Sequence, residues 1–548
     1  MSRTAAIPAG AEDAPAPKAR KPKPVRRDVS ARPGEAVDWA ALLLGFGAMV
    51  LGQFMAILDI QIVAASLPQI QAGIGASNDE ISWIQTAYLI PEVVMIPLSG
   101  YLARMWGTRN VYLMSCAGFV VMSVLTGLSA NIDMMILTRA LQGFLGGAMI
   151  PTVFSVAFTA FPPERRTSAS VVMGLIVTLA PTVGPTLGGH LTELLSWRWL
   201  FFINAPIGAV VFLMVSRWGN FGQGDRSLAR GFDWWGLGLM AAFLMSMQFV
   251  LEEGAKNDWF ADDGILALTI VAAITGVAFV WRSLAYFQPI VELRAFKNRN
   301  FLIGVTMTFV SGASLFGGTF LLPLFLGRVR NYSASEVGTT MVVSGISMFL
   351  TAPVAGRLAR KIDPRITMFF GFGLVAWGMW MGHAVTEDWG FWQFAGLQAC
   401  RGVGVMIAMI ASQSVTMSTL SPAMVPNASG LVNLSRNVGG AVGLALLSTT
   451  LTSQTAAHTA ELSSRITASN TAAVDMIAGL TARMQELGAA DPEGAAAKAF
   501  QGMILKQATT LAFGDGFVLL AVAAAIASVA ALFAAPSKPG AGPAVESH

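Results

Sequence analysis

Charged residues are scarce in this chain, and their scarcity argues against a soluble globular protein. Asp, Glu, Lys and Arg together make up 12% of the 548 residues, whereas soluble domains carry about 25%. In their place, 54% of the residues are hydrophobic and the mean hydropathy is +0.61. A membrane-spanning helix needs about 20 mostly apolar residues. The composition therefore predicts a membrane protein with a dozen or more spans.

Cysteine and histidine are also rare, which leaves little material for metal or thiol chemistry. The two cysteines, Cys116 and Cys400, fall in apolar segments and lack the spacing of a metal or redox pair. The sequence has no Gly-Lys pair, so it lacks the phosphate-binding loop G-x-x-x-x-G-K-[ST]. It also has no G-x-S-x-G nucleophile motif. We therefore predict no enzymatic activity, no metal site and no cofactor other than an ion gradient.

Apolar windows recur along the rest of the sequence, and we count fourteen. They lie at 39–67, 81–103, 110–130, 134–161, 168–194, 199–217, 234–252, 264–286, 301–326, 336–359, 366–386, 389–418, 429–450 and 511–534. The predicted fold is an all-α polytopic membrane protein with 14 transmembrane helices. One connection, 451–508, is long, polar and Ala-rich, with Leu and Met at helical intervals, which predicts amphipathic helices outside the membrane.

Basic residues occupy every second connection between these windows. They include Arg104, Arg165, Arg217, Arg294 and Arg357, whereas the intervening segment 129–133 has no positive charge. Lys and Arg are retained on the cytoplasmic side of membrane proteins, so both termini are predicted to be cytoplasmic. Arg328 and Arg330 break the pattern. A net charge of +4, spread over many connections, does not indicate nucleic-acid binding.

The chain repeats itself once. The segment GYLARMWGTR at 100–109 reappears as GRLARKIDPR at 356–365, each time after the second span of a six-helix set. Glycine allows two helices to approach closely, and the arginines can bind helix carbonyl ends or acidic partners, which suits a latch between moving helices. The motif residues are Gly100, Arg104, Gly107, Arg109, Gly356, Arg360 and Arg365.

This repeat predicts two homologous halves with two helices inserted between them. The predicted divisions are a disordered cytoplasmic tail (1–37), a six-helix half (38–217), two inserted helices (218–288), a second six-helix half that includes the 451–508 loop (289–535) and a short cytoplasmic tail (536–548).

Two acidic residues stand inside apolar spans, Asp59 in the first and Glu92 in the second. An ionised group at the bilayer centre costs about 2.5–3.5 kcal/mol, so such residues commonly face a protein interior or a watery cavity and mark ion or substrate pathways. Two carboxylates on two helices are enough for a proton site. A structural role, paired or hydrogen-bonded to a neighbouring helix, remains open for each.

Several motifs resemble those of the major facilitator superfamily, in its fourteen-helix drug:proton antiporter branch. They are GYLARMWGTR (100–109), LTRALQGFLGG (137–147), APTVGPTLGG (180–189), LDIQIVAASLP (58–68), SWRWLFFINAPIG (196–208) and PIVELRAFKNRNF (289–301). The resemblance covers nearly everything after the first tail and implies a major facilitator fold. The superfamily's loop signature has an acidic residue where Arg104 stands, so an acidic latch at that loop cannot be carried over.

The resemblance implies roles for further residues. Arg139 is expected to face a central cavity and to respond to the charge of a nearby carboxylate, or to be purely structural; Gln142 is a secondary candidate from the same motif. The fifth-span motif is associated with the direction of antiport, although close packing alone could explain it. Its small residues and prolines are Ala180, Pro181, Gly184, Pro185, Gly188 and Gly189.

Three other charged residues lie in or near the last spans and are weaker candidates. Arg401 and Arg436 could pair with each other or with the cytoplasmic rim, and Asp515 could cap the last helix.

The sequence thus predicts proton-driven efflux of amphipathic toxic compounds across a bacterial inner membrane, by alternating access. The resemblance further implies a periplasmic adaptor and an outer-membrane channel as partners. Two alternatives stay open: a proton-coupled uptake permease for a small solute, and a non-transporting membrane receptor or scaffold.

Overall fold

The computed structural model describes residues 38–421, 423–466 and 471–535, and every regular element within them is helical. The predicted tails 1–37 and 536–548 lie outside the described residues. The α-helices are α1 (Trp39–Ala65), α2 (Leu67–Ile74), α3 (Asn78–Ile81), α4 (Trp83–Trp106), α5 (Thr108–Gly127), α6 (Ile132–Gly146), α7 (Met149–Thr159), α8 (Pro163–Leu194), α9 (Trp199–Phe202), α10 (Asn204–Trp218), α11 (Trp234–Glu253), α12 (Asp263–Ala285), α13 (Arg299–Arg328), α14 (Ala334–Lys361), α15 (Pro364–Met381), α16 (Phe391–Ser418), α17 (Val425–Ser464), α18 (Thr471–Glu486) and α19 (Pro492–Ala531).

The helices account for the predicted windows. Eleven helical segments within the described residues are long and apolar enough to cross a membrane, with α6 and α7 forming one segment and α9 and α10 another. Each of the fourteen windows falls on one of these segments or on α8, α15 or α17. The all-helical, polytopic fold class is therefore confirmed, and the count of fourteen spans is consistent with the structure.

Polar caps mark where several apolar helices begin. Asp38 accepts a hydrogen bond from the backbone N–H of Ala41 at the start of α1, and Asp262 accepts one from the backbone N–H of Ile265 at the start of α12. At α14, Ser333 and Glu336 form a reciprocal capping box. Each cap satisfies backbone donors that the first turn of a helix leaves free, which fixes where the helix begins.

The long helices pack as two sets of six. In the first set α1 contacts α8 and α10 while α4 contacts α6; in the second set α13 contacts α17 while α15 contacts α16 and α19. The two sets meet where α17 crosses α4 and where α8 crosses α14. The remaining pair, α11 and α12, packs together, and α11 also contacts α4 of one set and α17 of the other.

The two ends of the bundle differ. We call one of them the basic end, because basic connections such as those of Arg109 and Arg165 lie there. The Arg165 guanidinium is 4.2 Å from the Trp39 ring centroid, and Arg109 donates to the Ser216 carbonyl. From the other, the extension end, α17 and α19 continue beyond their apolar windows. At 1.5 Å per residue, a helix of 40 residues is about 60 Å long, twice the roughly 30 Å hydrocarbon core.

The extension is therefore helical along most of residues 451–508, with α18 packed against α19. His458 Nε2 lies 2.8 Å from Asp515 Oδ2 and ties α17 to α19. The expectation that Asp515 caps the last helix is wrong: α19 begins at Pro492, and Asp491 caps it by accepting the Gly494 N–H. The helix starts early because the Ala-rich segment ahead of the apolar window has high helix propensity.

Candidate functional site

Asp59 lies at the centre of a fully buried polar network in the first six-helix set. Its Oδ2 atom is 2.6 Å from Arg139 Nη1, and both side chains have no exposed surface. Its Oδ1 atom accepts from Asn204 Nδ2 at 2.7 Å and from Gln142 Nε2 at 3.2 Å. Asn204 also bonds Ser123 Oγ at 2.9 Å. Four helices, α1, α5, α6 and α10, thus supply one site.

The groups around Asp59 suit an anion. An ionised carboxylate only accepts hydrogen bonds, and the guanidinium and the two amide groups are all placed to donate to it. Burying an ion pair is costly unless its remaining polar atoms are bonded, and removing one partner then costs about 3–5 kcal/mol. Asn204 and Gln142 meet that requirement at Asp59.

Arg139 is held by more than Asp59. Its Nη1 also donates to Gln142 Oε1 at 3.0 Å, its Nε donates to the Ile84 carbonyl at 3.3 Å, and the guanidinium carbon sits 4.3 Å from the Tyr88 ring centroid. Within the described residues, Arg139 Nη2 and the Tyr88 hydroxyl have no hydrogen-bond partner. The Nη2 group of Arg139 could therefore form a new hydrogen bond if the ion pair with Asp59 opens.

A cavity of about 290 Å³ lies between the two six-helix sets. Its walls come from α1, α4, α7 and α8 on one side, from α13 and α17 on the other, and from the inserted helix α11. Apolar and aromatic side chains such as Leu89, Phe316 and Phe320 line it together with polar groups such as Gln61 and Asn437. A mostly apolar cavity with a few polar groups is typical of a small-molecule site.

Glu92 lines this cavity from α4 and is 3% exposed. Arg436 lines it from α17, with its Nη2 bonded to Asn433 Oδ1 at 2.6 Å. In the described part of the chain, no hydrogen bond reaches the Glu92 carboxylate. Glu92 and Asp59 therefore differ sharply: Asp59 is saturated with donors, and Glu92 is available to a cavity occupant.

Arg139 does not face the cavity, contrary to the expectation from the resemblance. The described lining includes Ile60 and Gln61 of α1 but neither Asp59 nor Arg139. Ile60 and Gln61 can line the cavity while Asp59 does not, because successive residues of a helix point to different sides. Arg139 instead contacts Ile84 and Tyr88 of α4, so the buried charge pair lies beside the cavity and not in its wall.

Several polar residues of the site were not among the predicted residues, and they include Asn204, Gln248 and Glu252. Asn204 lies in the quoted stretch 196–208, and an amide inside an apolar span was a signal that could have singled it out. Glu252 ends the seventh window four residues after Gln248, so both share one helix face, and both line the cavity. An acid at the margin of a window resembles an interfacial residue, and sequence cannot tell the two apart.

The glycines of the repeated loop motif lie where the two sets cross near the basic end. A Cβ atom on Gly100 would be 2.6 Å from the Pro426 carbonyl oxygen of α17, and one on Gly356 would be 2.7 Å from Val171 Cγ2 of α8. Each motif copy thus brings the second helix of its set against the fifth helix of the other. Gly107 has φ +85°, a backbone conformation that favours glycine.

The side chains of the motif arginines differ in their contacts: Arg109 bonds the Ser216 carbonyl of α10, whereas the others contact nearby residues or are exposed, apart from one 3.5 Å hydrogen bond from Arg365 to the Ala534 carbonyl. The Arg104 guanidinium is 5.3 Å from the Tyr101 ring centroid, and its backbone oxygen accepts the Asp225 N–H at 2.8 Å. Arg360 is exposed. Arg365 pairs with Asp363 at 2.8 Å, and these hydrogen bonds lower the pKa of Asp363.

The fifth-span motif packs α8 onto α1. A Cβ on Gly184 would be 2.6 Å from Gln61 Cβ, and one on Gly188 would be 2.9 Å from Ser66 Oγ, whereas one on Gly189 would meet nothing within 4 Å. Ala180 is fully buried and Pro181 lines the cavity. The side chain of Pro185 lies outside the described residues. Close packing thus accounts for Gly184 and Gly188 but not for Gly189.

Arg401 and Arg436 do not pair with each other. Arg401 Nη2 donates to Ser344 Oγ at 2.8 Å in the second set, whereas Arg436 bonds Asn433 and faces the cavity. The described residues contain no cluster of His, Cys, Asp or Glu that could hold a metal ion.

Two six-helix sets around a cavity, with a charge pair buried beside it, form the architecture of a secondary transporter. The chain matches the family described as Major Facilitator Superfamily over residues 49–444, and it belongs to that family. It is therefore a multi-pass membrane protein of a transporter family.

Several bacterial proteins with assigned names are similar to this chain over most of its length. The chain is 40% identical to the colistin resistance protein EmrB of Acinetobacter baumannii, covering 87% of this chain and 93% of that protein. It is 32% identical to the multidrug export protein EmrB of Escherichia coli (78% and 84% covered) and 31% identical to the fatty acid resistance protein FarB of Neisseria gonorrhoeae (79% and 84%). Among solved structures, the human organic anion transporter MFSD10 (TETRAN) shares the fold, with a TM-score of 0.54, 13% identity and coverage of 88% and 99%.

Proposed function

We propose that this protein exports amphipathic toxic compounds across a bacterial inner membrane in exchange for protons. The observation that carries the proposal is a buried Asp59–Arg139 ion pair beside an apolar cavity, with Asp59 on α1, the helix that also supplies Ile60 and Gln61 to the cavity wall. The names of the relatives, which refer to multidrug export and to colistin or fatty acid resistance, support export over uptake.

Coupling follows from the position of α1. A proton on Asp59 removes the negative charge that holds Arg139, which weakens the tie between α1 and α6. Helix α1 is then free to shift against α8, where Gly184 and Gly188 make a close seam. This movement changes the cavity wall that α1 provides. A proton moving down a potential of 100 mV supplies about 2.3 kcal/mol, enough for a useful gradient of exported compound.

The orientation and partners are part of the same proposal. The basic end faces the cytoplasm, where Lys and Arg are retained, so both termini are cytoplasmic and the extension end faces the periplasm. The helical extension offers a surface for a periplasmic adaptor, which joins the protein to an outer-membrane channel.

The test uses purified protein in liposomes that contain a pH-sensitive dye. Addition of ethidium, a permanently cationic dye, is expected to change the luminal pH with wild-type protein, and a protonophore should abolish the change. Asp59→Asn should abolish it as well. Because Asp59→Asn leaves Arg139 without its counter-ion, the double variant Asp59→Asn/Arg139→Gln is measured beside it and should also be inactive.

A matched control comes from the inserted helices. Asp233 is 2% exposed, pairs with Arg282 at 3.1 Å and lies away from the cavity. Asp233→Asn should retain the pH response. The proposal fails if ethidium produces no protonophore-sensitive response with wild type, and Asp59 is not the coupling residue if Asp59→Asn responds like wild type.

A further inference from the structure

The inserted helix α11 does more than fill the membrane beside the two six-helix sets. At the extension end Trp83 of α4 lies 5.6 Å from the Phe249 ring, and Trp259, just after α11, donates from Nε1 to Thr449 Oγ1 of α17 at 2.9 Å. Helix α11 therefore bridges the two sets beside the cavity.

The cavity-facing side of α11 carries Gln248 and Glu252. Gln248 Nε2 donates to Glu252 Oε1 at 2.9 Å. Gln248 is 4% exposed, and within the described residues its Oε1 atom has no hydrogen-bond partner. A buried acceptor without a hydrogen bond is unfavourable, so a donor entering the cavity at this point would stabilise it.

We infer that Gln248 and Glu252 form a recognition subsite for the cationic head of an amphipathic substrate. A cationic heteroaromatic group whose amino substituents carry N–H donors bonds Gln248 Oε1 and faces the Glu252 carboxylate, while its apolar part packs on Leu89, Phe316 and Phe320 of the same cavity. The subsite rests on the proposed function because it gives the substrate class of the same cavity. It also assigns the inserted helices a part in substrate choice.

The charges that line the cavity explain why this position prefers a cation over an anion. Arg436 lines the cavity from α17 and bonds Asn433, so an anionic head would be drawn to Arg436. On α11 the charged lining residue is acidic. A compound with a cationic head and an aromatic body can therefore lie with its head on α11 and its body against α13.

Direct binding to purified protein tests the subsite without requiring transport. Binding of ethidium and of the neutral dye N-phenyl-1-naphthylamine is measured by fluorescence for wild type and Glu252→Gln. A hydrogen bond to a charged group is worth about 1.5–3 kcal/mol, so Glu252→Gln should weaken ethidium binding about tenfold or more. Affinity for the neutral dye should change by less than about twofold on the same scale.

The neighbouring acid is the matched control. Glu253 bonds Lys256 at 2.8 Å and is absent from the described cavity lining, so Glu253→Gln should bind both dyes like wild type. Retained binding of the neutral dye shows that each variant is folded. The subsite is overturned if Glu252→Gln binds ethidium like wild type, or if it loses both dyes equally.

These outcomes are separable from the proposed function. Wild-type protein that transports ethidium while Glu252→Gln binds it unchanged removes the subsite and leaves proton-driven export standing. Wild-type protein that binds ethidium through Glu252 but shows no protonophore-sensitive response keeps the subsite and removes export.

Discussion

The two intramembrane carboxylates that the sequence singles out occupy different surroundings. Asp59 accepts from three side chains and is enclosed on all sides, whereas Glu92 lines the cavity and accepts no hydrogen bond from the described residues. This difference separates their roles. Asp59 is fit to hold or release a cationic partner within the protein, and Glu92 is fit to meet whatever occupies the cavity.

Replacement of Glu92 tests this division in cells. Glu92→Gln keeps the size of the side chain but removes its charge, so resistance to cationic compounds should fall before resistance to neutral ones, because a buried anion attracts cations in a low-dielectric site. Minimum inhibitory concentrations of matched cationic and neutral compounds measure this effect in a strain that carries each variant at equal membrane abundance. Equal loss for both kinds of compound would instead assign Glu92 to coupling or structure.

At the scale of helices, the contact between the two six-helix sets depends on small residues. Gly100 and Gly430 both bring α4 and α17 together: a Cβ on Gly430 would be 3.0 Å from the Ile96 carbonyl oxygen. Because the atoms in the way belong to the backbone, the neighbour cannot yield by changing a rotamer. These crossings therefore allow very little added volume.

A single methyl group at Gly100 should consequently hold the two sets apart. Gly100→Ala is expected to lower thermal stability in detergent, since overpacking of this kind costs about 1–3 kcal/mol, and to reduce ethidium transport in liposomes. Gly327→Ala is the control, because a Cβ on Gly327 of α13 would meet nothing within 4 Å. Equal melting temperatures for the two variants would show that the crossing is looser than the structure indicates.

The sequence predicted the helices well where apolarity defines them and poorly where it does not. Windows such as 234–252 and 264–286 match α11 and α12 closely, because the hydrocarbon sets their length. Helices α17 and α19 exceed their windows because backbone hydrogen bonding continues in water when the residues favour it. The error at Asp515 follows directly from this, since the true start of α19 is 23 residues earlier, at Pro492.

The candidate site was predictable in its charges but not in its connections. Asp59, Glu92 and Arg139 were visible because charge inside an apolar span is rare. The bonds from Asn204 and Gln142 to Asp59 were not visible, since they join residues far apart in sequence. The placement of α11 beside the cavity was also hidden, because nothing in a helix's own sequence says which neighbours it packs against.

At the scale of the whole molecule, the proposed function assigns the extension to assembly with a partner and not to transport itself. Replacing residues 451–508 with a short flexible linker should leave proton-coupled ethidium transport in liposomes largely intact, because the cavity lining ends at Leu444. If the proposed adaptor binds the extension, the same variant should lose resistance in intact Gram-negative cells. Both assays compare the shortened variant with wild type at equal abundance in the membrane. A folded variant that fails in liposomes as well as in cells would make the extension part of the transport path.

Helix α17 is unbroken from the cavity to the tip of the extension, and this continuity has a mechanical consequence. From Gly440, which lines the cavity, to Ser464 at its end, the helix measures about 36 Å at 1.5 Å per residue. A rigid-body rotation of the helix by about 15°, the size seen between haemoglobin dimers, would move the tip by about 9 Å. A small change in the angle of α17 at the cavity would therefore become a large displacement at the end of the extension.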